Sequence, residues 1–193
     1  MIDQIKSRRR MLTGAATALS AAGVFALFDR PSFGAAVSGK KAGNASQDVQ
    51  LLNAALSLEN EGIAAYQIGA ESKLLKPDVL KVAITFQGHH KQHRDDLIAA
   101  IKRLGGTPVR TKPVPEYAKE LNAASLKDQT GVLRLALKLE RGATNAYLGL
   151  IPSLDQSGLY VLAARTAADE SFHAAVLGQV LGDAIPEKAP MFG

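Results

Sequence analysis

Cysteine is the first residue type that this sequence lacks. None of its 193 residues is Cys, which excludes disulfides, thiolate metal ligands, thiol catalysis and a lipidated amino-terminal cysteine. Any bound metal must therefore be held by oxygen and nitrogen atoms. The absence of thiols is compatible with an oxidising compartment, but it is equally compatible with other locations.

Most of the chain also lacks an excess of either charge. The formal charge of +5 is concentrated at the amino terminus, where residues 1–36 hold five Lys/Arg and two Asp and leave 18 basic against 16 acidic residues beyond them. That larger part has no long basic stripe with interleaved aromatic residues, so nucleic acid is not an expected partner. The length and the abundance of alanine and leucine favour one α-helical domain with a substantial core.

The first 36 residues have the features of an export signal. A Ser-Arg-Arg-Arg-Met-Leu sequence at 7–12 precedes a mildly apolar run at 11–28, and small residues follow at 34–36. The segment resembles a twin-arginine signal, with Met11 where Phe is usual and Thr13 where Lys is common. The resemblance implies a periplasmic protein that is not bound to the membrane after signal removal. An uncleaved membrane anchor is the alternative, since eighteen apolar residues are close to the minimum for a bilayer span.

Apolar residues recur every three or four positions over four stretches, which predicts four long helices. The stretches are 48–71, 77–104, 127–150 and 156–182. Pro77 suits a helix start, Gly105 and Gly106 end the second helix, and Pro152 separates the third helix from the fourth. The proline-containing segment 107–125 predicts a long crossover between helices 2 and 3, with a helical turn near 116–121. The expected organisation is an export signal at 1–36, a linker at 37–47, a four-helix bundle at 48–185 and a tail at 186–193.

The second pair of helices repeats the first. Leu-x-Leu-Glu followed by Ala-Tyr occurs at 56–66 and again at 137–147, with identical spacing and an offset of 81 residues. A His followed by apolar residues four and eight positions later occurs at His93 and, 80 residues on, at His173. Two helical hairpins related by an approximate two-fold axis are therefore expected, with equivalent side chains facing each other.

The predicted inward stripes of the four helices carry three glutamates and three histidines among their apolar residues. These are Glu59 on the first helix, His90 and His93 on the second, Glu140 on the third, and Glu170 and His173 on the fourth. Buried carboxylates repel one another, so a positive charge is expected between them. One or two divalent ions held by oxygen and nitrogen would supply it. The donor set suits iron or manganese, with zinc as an alternative.

This arrangement resembles the ferritin-like dimetal proteins, over nearly all of the sequence that follows the signal. In that family two helices each supply one Glu and the other two each supply Glu-x-x-His. Glu59 and Glu140 match the single glutamates, and Glu170 begins one Glu-x-x-His. The other such motif departs from the pattern, because His90 stands where its Glu is expected. Since an imidazole does not bridge metals as a carboxylate does, the site is asymmetric, holds one metal firmly, or favours a different ion.

Tyr66 and Tyr147 each follow a candidate glutamate by two helical turns. One interpretation is ordinary core packing with a hydrogen-bonded hydroxyl. The other is a hydrogen bond to a ligand carboxylate, or a redox role beside the metals. Asp169 could orient a ligand histidine, although exposed Asp residues beside helical sites are common. His89 lies outside the inward stripes.

The resemblance implies a centre of two iron ions that oxidises ferrous iron or reacts with oxygen or peroxide. A diiron oxidoreductase, or ferroxidase, is therefore the first hypothesis. A metal-binding or structural bundle without turnover in the periplasm is the second, and the absent fourth carboxylate favours it. The third is a metal-free bundle that binds a partner and satisfies its polar residues by hydrogen bonds alone. A homo-oligomer is compatible with each hypothesis.

Overall fold

The computed structural model of the protein describes residues 45–189, 191 and 192. The predicted export signal and all but the last three residues of the predicted linker lie outside the described residues. Five α-helices follow one another along the described chain, and no strand occurs within it. They are α1 (Ala45–Glu71), α2 (Pro77–Arg103), α3 (Val114–Glu120), α4 (Gln129–Leu150) and α5 (Tyr160–Val180).

The four long helices form a bundle of two hairpins. Helix α1 packs most extensively against α2, and α4 against α5, while contacts between α1 and α4 join the hairpins. The short helix α3 lies within the connection between the hairpins and packs against α1. The predicted all-α four-helix bundle with a long crossover is therefore confirmed. No helix among the described residues is both long and apolar enough to cross a bilayer.

The helix ends follow from local sequence. Pro77 occupies the first turn of α2, and Gly105 follows that helix with a φ of +75°, which glycine adopts without a steric penalty. The side chain of Asp128 caps α4 by accepting a hydrogen bond from the Gly131 N–H at 2.8 Å. Pro152 lies in a 3₁₀ turn, Ile151–Ser153, between α4 and α5.

The first helix begins at Ala45, three residues earlier than its apolar pattern predicts. The fully buried carboxylate of Asp48 explains this difference. It accepts hydrogen bonds from the backbone N–H groups of Asp155 at 2.8 Å and Gln156 at 3.1 Å. Gln47 also donates to the Ser153 carbonyl at 3.0 Å. The first turn of α1 is thus held by the connection between α4 and α5, which lies more than 100 residues away along the chain.

The crossover packs closely against α1 where it begins and is braced internally around α3. A Cβ atom on Gly106 would lie 2.6 Å from a methyl group of Val49, so only glycine allows the chain to pass so close to α1. In α3, the buried Tyr117 lies beneath Lys112, whose ammonium group forms a 2.7 Å ion pair with Glu120. The crossover therefore covers one side of the bundle.

Two apolar clusters form the core. One includes Leu52, Leu97 and Tyr147, and the other includes Tyr66 and Leu137. Each tyrosine directs its hydroxyl at a buried glutamate, so a polar layer lies between the two clusters. The candidate site is therefore enclosed by hydrocarbon on both sides.

Replacing Asp48 by Ala should lower the free energy of unfolding by about 1–3 kcal/mol, because two backbone donors would lose their buried acceptor. Urea denaturation followed by circular dichroism measures the change. Asp96→Ala serves as a control, since the Asp96 side chain is exposed and its loss should change stability by no more than about 0.5 kcal/mol. Equal effects in the two variants would contradict the assigned role of Asp48.

Candidate metal centre

All six residues predicted as metal ligands are buried, and the structure brings them together in the polar layer. Two overlapping groups of four residues each offer ligand atoms within 4.8 Å of one another. One group contains Glu59, His90, His93 and Glu170, and the other contains His90, Glu140, Glu170 and His173. We call these residues the six-residue cluster. His90 and Glu170 belong to both groups.

Glu170 of α5 lies at the centre of the cluster and is fully buried. Its two oxygens face different histidines: Oε1 lies 3.0 Å from Nδ1 of His93, and Oε2 lies 3.6 Å from Nδ1 of His173. In this position the carboxylate could contribute one oxygen to each group of ligands.

His90 of α2 lies between the two single-helix glutamates. Its Nδ1 atom lies 2.8 Å from Oε2 of Glu59, and its Nε2 atom lies 3.3 Å from Oε1 of Glu140. The two ring nitrogens therefore face the two groups separately. The residue that departs from the family pattern thus occupies a shared position, as the glutamate it replaces would do.

Three buried atoms of the cluster have no hydrogen-bond partner, and they are the only such side-chain atoms among the residues that the structure describes. They are both carboxylate oxygens of Glu170 and Nδ1 of His93. The 3.0 Å approach between the two residues lacks the angle of a hydrogen bond. Buried polar atoms normally have partners. Unpartnered oxygen and nitrogen donors that converge in this way fit a transition-metal ion such as iron, manganese or zinc.

The two tyrosines pair crosswise with the glutamates. Tyr66 of α1 donates to Oε1 of Glu140 on α4, and Tyr147 of α4 donates to Oε1 of Glu59 on α1 at 2.5 Å. Each hydroxyl thus holds the carboxylate of the other hairpin rather than the one on its own helix. The exchange agrees with the two-fold relation that the sequence repeat predicts.

A further pair of residues orients the histidines from outside the cluster. Asp169 accepts at 3.1 Å from the His93 ring, and Nδ1 of His89 lies 2.9 Å from Nε2 of His173. Asp169 and His89 are themselves equivalent in the repeat, 80 residues apart. Outer partners of this kind fix the orientation of a ligand imidazole. The inward-stripe pattern missed His89 because the residue is exposed and lies outside the stripe, although its ring reaches His173.

The three buried histidines hold protons more tightly than a free imidazole. Burial by itself lowers the pKa of each ring, but neighbouring carboxylates outweigh it. Contacts with Glu170 and Glu59 raise the pKa of His93 to about 10. The pKa values of His90 and His173 are raised for the same reason. In the metal-free protein, protonated imidazoles therefore balance the carboxylates, and a metal must displace these protons to bind.

The carboxylates differ in how well the protein accommodates their charge. Burial raises the pKa of Glu59, but the hydrogen bond with His90 and the positive charges of His90 and His93 outweigh it and lower the value to about 2. Burial raises the pKa of Glu170 to about 7 despite the charge of His90, and the negative charge of Glu59 adds to the rise. Glu170 is therefore a central carboxylate whose charge calls for a further cation.

The fold and the six-residue cluster define a helical bundle with buried Glu and His side chains that could hold metal ions. The sequence matches the ferritin-like domain family over residues 47–183, and the chain belongs to that family. A solved structure with a similar fold is that of rv2844, a conserved hypothetical protein from Mycobacterium tuberculosis. Its TM-score is 0.60, with 23% identity over 76% of this chain and 97% of that chain, a likeness that concerns the fold alone. No curated protein matches the sequence.

The metal-free protein should be most stable at about pH 4.5, because Glu59 loses its contribution below that pH while Glu170 and then His93 lose theirs above it. His93, with a folded pKa of about 10 against 6.5, contributes stability that is complete below pH 6.5 and is lost as the pH rises through about 10. Glu59, with a folded pKa of about 2 against 4.5, contributes stability that is present above pH 4.5 and is lost as the pH falls through about 2. Glu170, with a folded pKa of about 7 against 4.5, contributes stability that is complete below pH 4.5 and is lost as the pH rises through about 7.

Thermal denaturation in a strong chelator, measured from pH 3 to about pH 10, tests this dependence. The alkaline loss of stability should be smaller in His93→Gln, which cannot titrate at that position. An alkaline loss of the same size in the variant would show that His93 is not among its causes.

Proposed function

We propose that the six-residue cluster binds two transition-metal ions, with iron as the native metal. The observation that carries the proposal is the position of Glu170, whose two unpartnered oxygens face different histidines inside a buried set of donors. Each group of four supplies two carboxylates and two imidazoles, a mixture that suits iron or manganese, with zinc as the alternative.

Binding of a second ion depends on how the two ring nitrogens of His90 are used. Its nitrogens face the two groups separately, so the ring can serve one ion through one nitrogen while the other nitrogen keeps its contact with a glutamate. Only Glu170 has an oxygen for each group. The proposed pair of ions is therefore asymmetric. A site with two Glu-x-x-His motifs has two carboxylates that can contact both ions, whereas this cluster has one, so one of the two ions is held by fewer ligands.

We further infer that the protein oxidises ferrous iron or reacts with oxygen or peroxide. Two bound iron ions would supply one electron each to an oxygen species. The chain contributes the setting: Tyr66 and Tyr147 hold Glu140 and Glu59 by their Oε1 atoms and leave the other carboxylate oxygens directed at the histidines. The apolar clusters on both sides exclude water.

A second candidate function is metal binding without turnover. It is favoured by His90, because a protonated ring there can itself neutralise Glu59 and Glu140 and so compete with the second ion. Such a protein would store or deliver a metal in the compartment to which it is exported. Consumption of dioxygen or peroxide by the metal-loaded protein separates the two functions.

The wild-type chain should oxidise added ferrous iron at least about tenfold faster than Glu140→Ala, which loses a donor that belongs to one group only. The rise of ferric absorbance and the uptake of dioxygen are measured together. Glu187→Ala is the matched control, because it removes an exposed glutamate outside the cluster and should leave the rate unchanged.

Elemental analysis of the same preparations counts the ions per chain. Wild-type protein that oxidises iron no faster than Glu140→Ala would exclude the oxidase function. If it still bound two ions per chain, the second candidate function would be supported. Protein that took up no metal would contradict both, and analysis of protein isolated from its own periplasm would then identify what occupies the cluster in the cell.

Export by the twin-arginine route also belongs to this proposal, and the sequence at 7–12 supports it. The double change Arg8→Lys with Arg9→Lys should retain the protein in the cytoplasm, whereas Arg10→Lys, at the variable position of the motif, should not. Cell fractionation followed by immunoblotting measures the distribution. Export of the double variant at the wild-type level would contradict this route.

A further inference from the structure

A cavity of about 190 Å³ lies at one end of the bundle, where α1, α2, α4 and α5 meet. Its lining is almost entirely hydrocarbon: Tyr66 and Asp78 are its only residues with polar side chains, and small residues such as Ala65, Gly69 and Ala136 leave the space open. An apolar cavity of about 150 Å³ is known to stay dry and to bind benzene. This cavity is somewhat larger, so its size suits a substituted aromatic ring.

The cavity lacks the hydrogen-bond partners that a cluster of water molecules would need. Water in a protein interior needs two to four polar partners. The Tyr66 hydroxyl is already committed to Glu140, and the side chain of Asp78 is 97% exposed and so lies at the mouth rather than inside. An uncharged apolar molecule therefore gains more from the cavity than water does.

The mouth and the floor of the cavity have different chemistry. Val180, 49% exposed, lies at the surface with Asp78, which pairs with Lys81 at 3.5 Å, so the cavity opens to solvent at an edge formed by an ion pair and an apolar side chain. The floor includes Tyr66, whose ring centroid lies 5.4 Å from that of His90, and Phe86, whose ring stacks on His173 at 4.0 Å. The two floor rings thus contact residues of the six-residue cluster directly.

We propose that this cavity is a binding site for an uncharged, apolar small molecule about the size of toluene, held against the rings of Tyr66 and Phe86. The occupant lies one side chain away from the six-residue cluster. The volume is too small for a helix or a strand of another protein, and the apolar lining disfavours a charged ligand. Binding requires no metal, so it can be tested independently of the proposed oxidase function.

Isothermal titration calorimetry with toluene, on the full chain in metal-free and Zn²⁺-loaded forms, tests the proposal. Saturable binding with a dissociation constant below roughly 1 mM is expected in both forms. Benzoate has the same ring but carries a charge whose desolvation the apolar lining cannot offset, so it should not bind. Zn²⁺ is redox-inert, and failure to bind toluene is therefore distinguishable from failure to oxidise iron.

Filling the cavity should abolish binding. Ala136→Phe is expected to weaken toluene binding at least tenfold, whereas Ala99→Phe, the same change at an exposed helical position outside the cavity, should leave it unchanged. Val176→Phe is a second filling variant in case Ala136→Phe does not fold. Nuclear Overhauser contacts from the toluene methyl group to Phe86 and Tyr66 would locate the ligand.

Absence of saturable toluene binding to folded wild-type protein would overturn the proposal. So would binding that both filling variants retain at the wild-type level, because the ligand would then lie elsewhere. Binding that appears only after removal of residues 186–193 would also overturn it. In that case the cavity would be a site for the chain's own tail, whose Phe192 packs against the apolar cluster that includes Tyr66 and Phe86.

Discussion

The charge balance inside the polar layer is the constraint on which the rest of the structure depends. Three carboxylates lie in a core that excludes water, where unbalanced charge costs far more than at a surface. Three imidazoles lie among them and are protonated readily for that reason. The protons and a metal ion compete for the same place. Glu170 is the group that a metal ion would serve best, because its oxygens have no hydrogen-bond partner in the metal-free cluster.

The two-fold repeat explains how one bundle assembles such a cluster. Each hairpin contributes a tyrosine that holds the glutamate of the other hairpin, so Tyr66 holds Glu140 and Tyr147 holds Glu59. Neither half of the layer is therefore complete without the other. Among the residues of the six-residue cluster the symmetry fails at one position, where His90 corresponds to Glu170. That single difference separates a symmetric carboxylate-bridged pair from the asymmetric pair proposed for this protein, and it gives the alternative of metal binding without turnover its physical basis.

Much of the site could be predicted because buried helices restrict where polar residues occur. A glutamate in the middle of an apolar stripe, as at Glu59, is costly unless something compensates for it, and its repetition at Glu140 makes a chance placement improbable. The helix starts were predicted less well. Helix α1 begins early because Asp48 is bound by backbone groups on a distant turn. The role of His89 was missed because the inward periodicity describes backbone positions, while a long ring reaches across from the neighbouring face.

The sequence by itself determined the four helices, their repetition and the six side chains that meet in the core, since all three follow from periodicity along single helices. Only the tertiary structure decided which atoms face which. The crossed tyrosine pairs, the central place of Glu170 and the nitrogens of His90 depend on the relative height and rotation of packed helices, which no spacing within one helix encodes. The apolar cavity beside Phe86 has the same origin, because it is the space that four helix ends leave between them.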